Sequence, residues 1–311
     1  MIFPYEEFDL TGVRTYPLAD RPSKVRTADF ATAWDPATGM AGWIDALPNL
    51  LAAADFKAIV SALRQARAAD RGVIWGLGAH VIKTGLGPVL IDLMERGYVS
   101  AVAMNGAGLI HDFEIALAGA TSEDVDAVLG KGQFGMSDET GRELNRVISD
   151  GAAAGLGLGQ AVTRHLAAST PAHASLSLLC AAARLNVPVT IHVGLGTDII
   201  HMHPAASGEA IGVASLRDFR YLTSSVAKLE RGVYLNCGSA VMLREVFLKA
   251  VSLVRNRGID LTGLTTVNFD FVRMYRPETN VVRRPVAGIG KGYSITGHHE
   301  LLIPLLAAAL R

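Results

Sequence analysis

The chain has 311 residues, half of them hydrophobic, with 29 basic and 29 acidic side chains and a formal net charge of zero. That length and apolar content suffice for a large core, in one domain or two small ones. Balanced charge supplies no electrostatic footprint for nucleic acid or for an anionic membrane surface, so the expected partner is a small molecule.

The opening stretch "MIFPYEEFDL" is acidic and lacks the apolar core of a secretory signal. No uninterrupted apolar run approaches the roughly 20 residues that span a bilayer. Cys180 and Cys237 lie in apolar surroundings and read as reduced thiols of a cytoplasmic protein. Residues 1–47 are irregular and rich in Pro and Asp, which predicts an extended arm ahead of a single α/β domain over 48–311.

From there the pattern alternates. Residues 49–69 have helical apolar spacing, 72–79 ("GVIWGLGA") form a short apolar run ending in glycines, and 86–97 give a helix with Pro88 in its first turn and Gly97 at its stop. Strand 99–108 ("VSAVAMNGAG") and helix 111–119 follow, then a less regular middle over 124–170. Helix 171–186, strand 187–194, helix 216–230, strand 232–240, helix 242–258, strand 264–271 and helix 298–311 complete the chain. Short, continuous apolar strands separated by helices predict a parallel sheet covered on both faces. Several predicted strands end in glycine, where such sheets place their ligands. None of these glycine turns forms G-x-G-x-x-G, so the dinucleotide fingerprint is not met.

The order of the strand-end motifs resembles that of deoxyhypusine synthase, an NAD-using enzyme that moves an aminobutyl group from spermidine to a lysine. The stretches that carry the likeness are "GAHVIKTGL", "MNGAGLIHDFEIAL", "LNVPVTIHVGLGTDIIHMH", "YLNCGSAVMLREVFLKAVSLVRNRG", "MYRPETNVV" and "LLIPLLAAAL", from about Val73 to the C-terminus. The resemblance implies a Rossmann-like parallel sheet, also related to sirtuins, in a homotetramer or dimer with NAD at subunit interfaces. It places His80, Lys83, Thr84, Asn105, Gly106, Ala107, Gly108, Gly238 and Ser239 on the NAD site, and Asp198 on the substrate's ammonium group. The chain departs from the pattern where the family has paired glutamates (here Ile110-His111) and Lys-His-His (here Leu243-Arg244-Glu245). Near the family's imine-forming lysine stands Arg284-Pro285, and an arginine cannot lose its proton to become a nucleophilic amine. Lys291 in "GIGKG" could replace that lysine only if the intervening segment differs in length. The reaction is therefore expected to diverge from deoxyhypusine formation while remaining an NAD-dependent transfer.

The histidines leave alternatives open. His201 and His203, at i and i+2, share a face on an extended segment and could take zinc. On a helix they diverge by roughly 200° and could not. His80, His111, Asp112 and Asp198 all fall at predicted strand ends and could converge with His201 on a metal. In the favoured reading no metal is bound, Asp198 holds a cationic group, and His111 and His201 are acid/base candidates with Lys291. A metal-dependent enzyme and a non-catalytic ligand-binding protein are the rivals. Arg276, Arg283 and Arg284 suit a carboxylate or phosphate if they face the pocket. His298-His299-Glu300 reads as the polar opening of the last helix, capped by Thr296 or Ser294.

Overall fold

The computed structural model describes residues 4–311. Six parallel strands form one sheet: β1 (Val73–Leu77), β2 (Ala101–Asn105), β3 (Val189–His192), β4 (Val233–Cys237), β5 (Thr265–Asp270) and β6 (Lys291–Thr296). Their spatial order is β3-β2-β1-β4-β5-β6. The expected doubly covered parallel sheet is thus present. Its four inner strands are almost entirely buried, which is why they read as unbroken apolar runs.

The helices are α1 (Gly39–Ala46), α2 (Leu51–Ala68), α3 (Ala79–Lys83), α4 (Gly87–Glu95), α5 (Gly106–Ala118), α6 (Val125–Val128), α7 (Asp138–Ala153), α8 (Leu158–Ser169), α9 (Leu178–Leu185), α10 (Gly208–Val226), α11 (Met242–Asn256), the single turn α12 (Tyr275–Pro277) and α13 (His299–Ala309). One face of the sheet presents Trp75, Leu77, Val102, Met104, Ile191 and Phe269 to the larger core, which includes α2, α5, α8, α9 and α13. The other presents Ile74, Ala103 and Tyr234 to α10 and α11, with the Tyr234 and Phe247 rings stacked 3.6 Å apart. The alternation of side chains along each strand produces the two cores.

Three expectations change. The middle segment 124–170 is regular: α7 and α8 bury Leu144, Ile148, Leu158 and Val162. Gly141, Gly151, Gly157 and Gly159 interrupt its apolar period, yet at all four an added Cβ would strike a neighbour: His203, Ala161, Asp218 and the Val189 carbonyl, respectively. Strand β6 was not anticipated because, as an edge strand, it is mostly part-exposed and carries polar residues. Helix α5 begins at Gly106, directly off β2, earlier than the predicted start at His111. Residues 4–38 hold only three 3₁₀ turns with no buried residue, whereas Trp43, Ile44 and Leu47 dock on the larger core. Among the described residues no single helix is long and apolar enough to cross a membrane.

Candidate functional site at the strand ends

Strands β1, β2 and β3 run outward to one edge of the sheet and β4, β5 and β6 to the other, so the order reverses between β1 and β4. Beyond the carboxyl ends at such a reversal lies the crevice where open α/β sheets bind ligands. Gly78 follows β1 and Gly238 follows β4; an added Cβ at Gly78 would collide with the Gly238 carbonyl. Gly238 has φ +68°, a region that favours glycine, and an added Cβ would lie 3.0 Å from the His299 ring. Ser239 accepts a hydrogen bond from the Leu243 amide (3.1 Å), which fixes the first turn of α11.

Asp198 reaches this edge from the loop after β3. Its carboxylate lies against Gly106 so closely that any Cβ there would come within 2.6 Å of its Cγ. Burial, the dominant influence, pushes the Asp198 carboxyl up, while His201 and a hydrogen bond from the Ala107 amide pull it down. One carboxylate oxygen, Oδ2, is buried with no partner. His201 Nδ1 accepts from the backbone amides of Gly196 (3.2 Å) and Asp198 (3.3 Å). Its proton therefore sits on Nε2, which is also buried and unpartnered.

At the first turn of α5, Asn105 Oδ1 accepts from the Gly108 amide (3.0 Å). With the Asp198 carboxylate packed against Gly106, the positive end of this helix is already covered by the chain's own side chains. Asn105, Gly106, Ala107 and Gly108 thus form the seat of Asp198.

A second group was not anticipated. His299 is fully buried at the start of α13; its Nε2 donates to the Phe269 carbonyl (3.1 Å), leaving the Nδ1 lone pair bare and unpartnered. Burial chiefly holds its pKa down. His80 approaches it edge-on at 5.7 Å and Phe271 edge-on at 6.1 Å. Asp270, the last residue of β5, is 4% exposed, with Oδ2 unpartnered. The available signal was an acidic residue closing an apolar strand and a His pair just after Gly297.

The remaining candidates lie elsewhere. Lys291 opens β6 opposite Thr265, at the amino-terminal end of the sheet, which removes it from the strand-end chemistry. His111 sits on the second turn of α5, where its Nδ1 meets the Thr121 hydroxyl (2.7 Å), which donates to Glu114 (2.5 Å). Burial chiefly lowers its pKa. It is not gathered with Asp198. Lys83 is exposed at the end of α3, and the Thr84 hydroxyl donates to the His80 carbonyl (2.8 Å). Asp112 caps α9, accepting from the Ser177 hydroxyl (2.6 Å) and the Leu178 and Leu179 amides (2.8 and 3.0 Å). His203 Nδ1 accepts from the Ala205 amide (3.1 Å). Among the described residues no three His, Cys, Asp or Glu side chains gather as metal ligands. Arg276 pairs with Glu245 (3.6 Å), Arg284 donates to Asn280 (2.9 Å), and Arg283 is exposed.

No family model and no curated protein matches the chain. Solved structures do. ArgZ, an arginine dihydrolase from the ornithine–ammonia cycle in Cyanobacteria, aligns over 85% of this chain and 33% of its own, at 17% identity and TM-score 0.52. AgrE, solved as a ternary complex with ornithine and NAD+, aligns over 82% of this chain and 32% of its own, at 18% identity and TM-score 0.53. A deoxyhypusine synthase candidate from Entamoeba histolytica aligns over 89% of this chain and 96% of its own, at 11% identity and TM-score 0.51. The chain spans about a third of the length of ArgZ and AgrE. At these identities the likeness establishes a shared fold.

Proposed function

We propose that the chain is an enzyme that keeps NAD as a resident redox cofactor and acts on an amine-bearing small molecule, as a transferase divergent from deoxyhypusine synthase. The observation that carries this reading is that four of the eleven unpartnered buried side-chain atoms among the described residues lie at the strand ends: Asp198 Oδ2, His201 Nε2, Asp270 Oδ2 and His299 Nδ1. Native proteins leave few such atoms, and ligand sites are where they gather.

The turns after β1 and β4 suit a dinucleotide, since Gly78, Gly238 and Ser239 keep backbone and small side chains at the reversal of strand order. His80 would line the same side. The N-terminus of α5 does not suit a phosphate, because the Asp198 carboxylate packs against Gly106 and Asn105 already accepts from the Gly108 amide. Bound at the reversal, NAD would supply hydride acceptance and return. The rest falls to the chain's own groups. Asp198 presents one free carboxylate oxygen to a substrate ammonium, whose charge restores the ionised form that burial disfavours. His201 holds the Asp198 backbone through Nδ1 and offers the Nε2 proton as a donor. His299 offers a bare Nδ1 as proton acceptor. ArgZ and AgrE act on or bind arginine and ornithine, which also favours an amine substrate. The reading includes a cytoplasmic homo-oligomer, supported by two free cysteines and by the apolar side chains of the N-terminal arm.

Calorimetric titration with NAD, then with ornithine and spermidine on the NAD-loaded protein, tests the proposal. NAD binding at or below millimolar is expected, with an amine response that Asp198→Asn abolishes. No heat from millimolar NAD overturns it.

A further inference from the structure

We infer that the groove between α8 and α10, at the amino-terminal end of β3, is a second ligand site for a small organic anion bearing a phosphate or carboxylate group. The groove encloses about 620 Å³, within the range of small-molecule sites. It lies at the opposite end of the edge strand from Asp198, so it is separate from the strand-end crevice and independent of the function proposed for it.

Its walls follow from helix periodicity. Gln160 and Arg164, one turn apart on α8, and Tyr221 and Ser224, three residues apart on α10, line its two sides, and Lys228 joins them from the turn just past the end of α10. The floor is apolar, from Ala183 at the end of α9 and Val187 just before β3. No aspartate or glutamate lines the groove, although acidic and basic residues are equal in number over the whole chain. Among the described residues, Arg164 and Lys228 make no ion pair and no side-chain hydrogen bond, whereas Arg96, Arg142, Arg146, Arg184 and Lys249 each have a carboxylate partner. Two unpaired cations on facing walls lower the free energy of an anion between them. The Gln160 amide and the Ser224 hydroxyl can donate to the same charged group. The apolar floor and the Tyr221 ring suit a compact carbon body. A second copy of the chain fits less well, because a stable interface needs about 800 Å² per partner with an apolar centre, and this cleft is small and polar-walled.

Phenyl phosphate and benzoate are suitable probes, with benzyl alcohol as the neutral control, measured by calorimetry on the full chain. At least one anion is expected to bind at millimolar concentration or below and at least tenfold more tightly than benzyl alcohol. The double substitution Arg164→Gln with Lys228→Gln is expected to weaken it at least tenfold; both side chains are exposed and unpartnered, and Gln is a good helix former, so folding is preserved. Ala183→Leu, which fills the floor, is expected to remove binding while keeping both cations. Asp198→Asn is expected to leave it unchanged, so failure here is distinguishable from failure at the strand ends. Which anion binds identifies phosphate or carboxylate as the preferred group. No binding of either anion, or binding that survives the double substitution, overturns the inference. So does a dimer in solution that the double substitution dissociates.

Discussion

The Asp198 carboxylate rests on the first turn of α5 against Gly106, with Oδ2 buried and without a partner. Burial raises its pKa, so its charged form is lost at a higher pH than that of an exposed aspartate. Amine binding is therefore expected to weaken as pH falls, starting above the ordinary carboxylate range; an affinity flat from pH 8 to 4 would exclude Asp198 as the cation site. Two further buried groups set opposing pH slopes in stability. Asp218 accepts from the Gly159 and Ile191 amides (2.8 Å each), and burial pushes it up to about 7. Burial holds His192 down to about 4. Between these values the folded chain keeps a proton on Asp218 that the unfolded chain has released, so this group's contribution falls as pH rises. His192 is the reverse: the unfolded chain is protonated and the folded chain is not, so its contribution is lost as pH falls from 6.5 towards 4. His192→Leu is expected to tilt the stability profile towards lower pH and Asp218→Asn towards higher pH, each by up to about 1.4 kcal/mol per pH unit. Parallel profiles for wild type and either variant in urea denaturation would refute the assignment.

At the scale of elements, the site depends on close approach. Gly106 admits the Asp198 carboxylate, and Gly106→Ala would force the two apart. The expected result is a loss of about 1–3 kcal/mol in stability, in line with overpacking at a tight contact, together with loss of the amine response. NAD affinity should change little, since α5 does not carry the dinucleotide in this reading. An amine response that survives Gly106→Ala would dissociate the two elements. Asp112 serves a different element: it ties α5 to the N-terminus of α9 through three hydrogen bonds. Asp112→Ala strands two buried amides and a hydroxyl, and thermal melting should report a loss of about 2–5 kcal/mol. Both aspartates follow apolar or glycine-rich runs in the sequence, and nothing in their spacing separates the helix cap from the proposed ligand group.

Over the whole molecule, the arm is the most exposed stretch of the described chain. Tyr5, Phe8, Leu10, Tyr16 and Leu18 are all more than 60% exposed. Side chains of this kind, exposed in succession, mark a contact surface. Light scattering on the purified protein is expected to give a homo-oligomer, and removal of residues 1–38 is expected to give a smaller species. A monomer at about 10 μM, well above the concentration at which a stable oligomer dissociates, would refute this.

The parallel sheet was legible because its central strands are buried on both faces and leave an unbroken apolar signature, and the strand-end glycines singled out the carboxyl edge as the candidate site. Asp198 was legible only through family resemblance. The burial of His299 and Asp270 at the same edge, each with an unpartnered atom, was not legible, since their sequence positions are separated from Gly78 and Gly238 by whole strands and helices. Lys291 shows the limit most plainly: a glycine-flanked lysine looks the same at either end of a strand, and parallel pairing with Thr265 places it at the wrong end. The facing of Arg164 and Lys228 arises in the same way. Local sequence determined which residues lie on each helix stripe, because helical periodicity is a property of the backbone; which stripes meet across a groove was decided only when long-range packing of α8 and α10 against β3 fixed their relation.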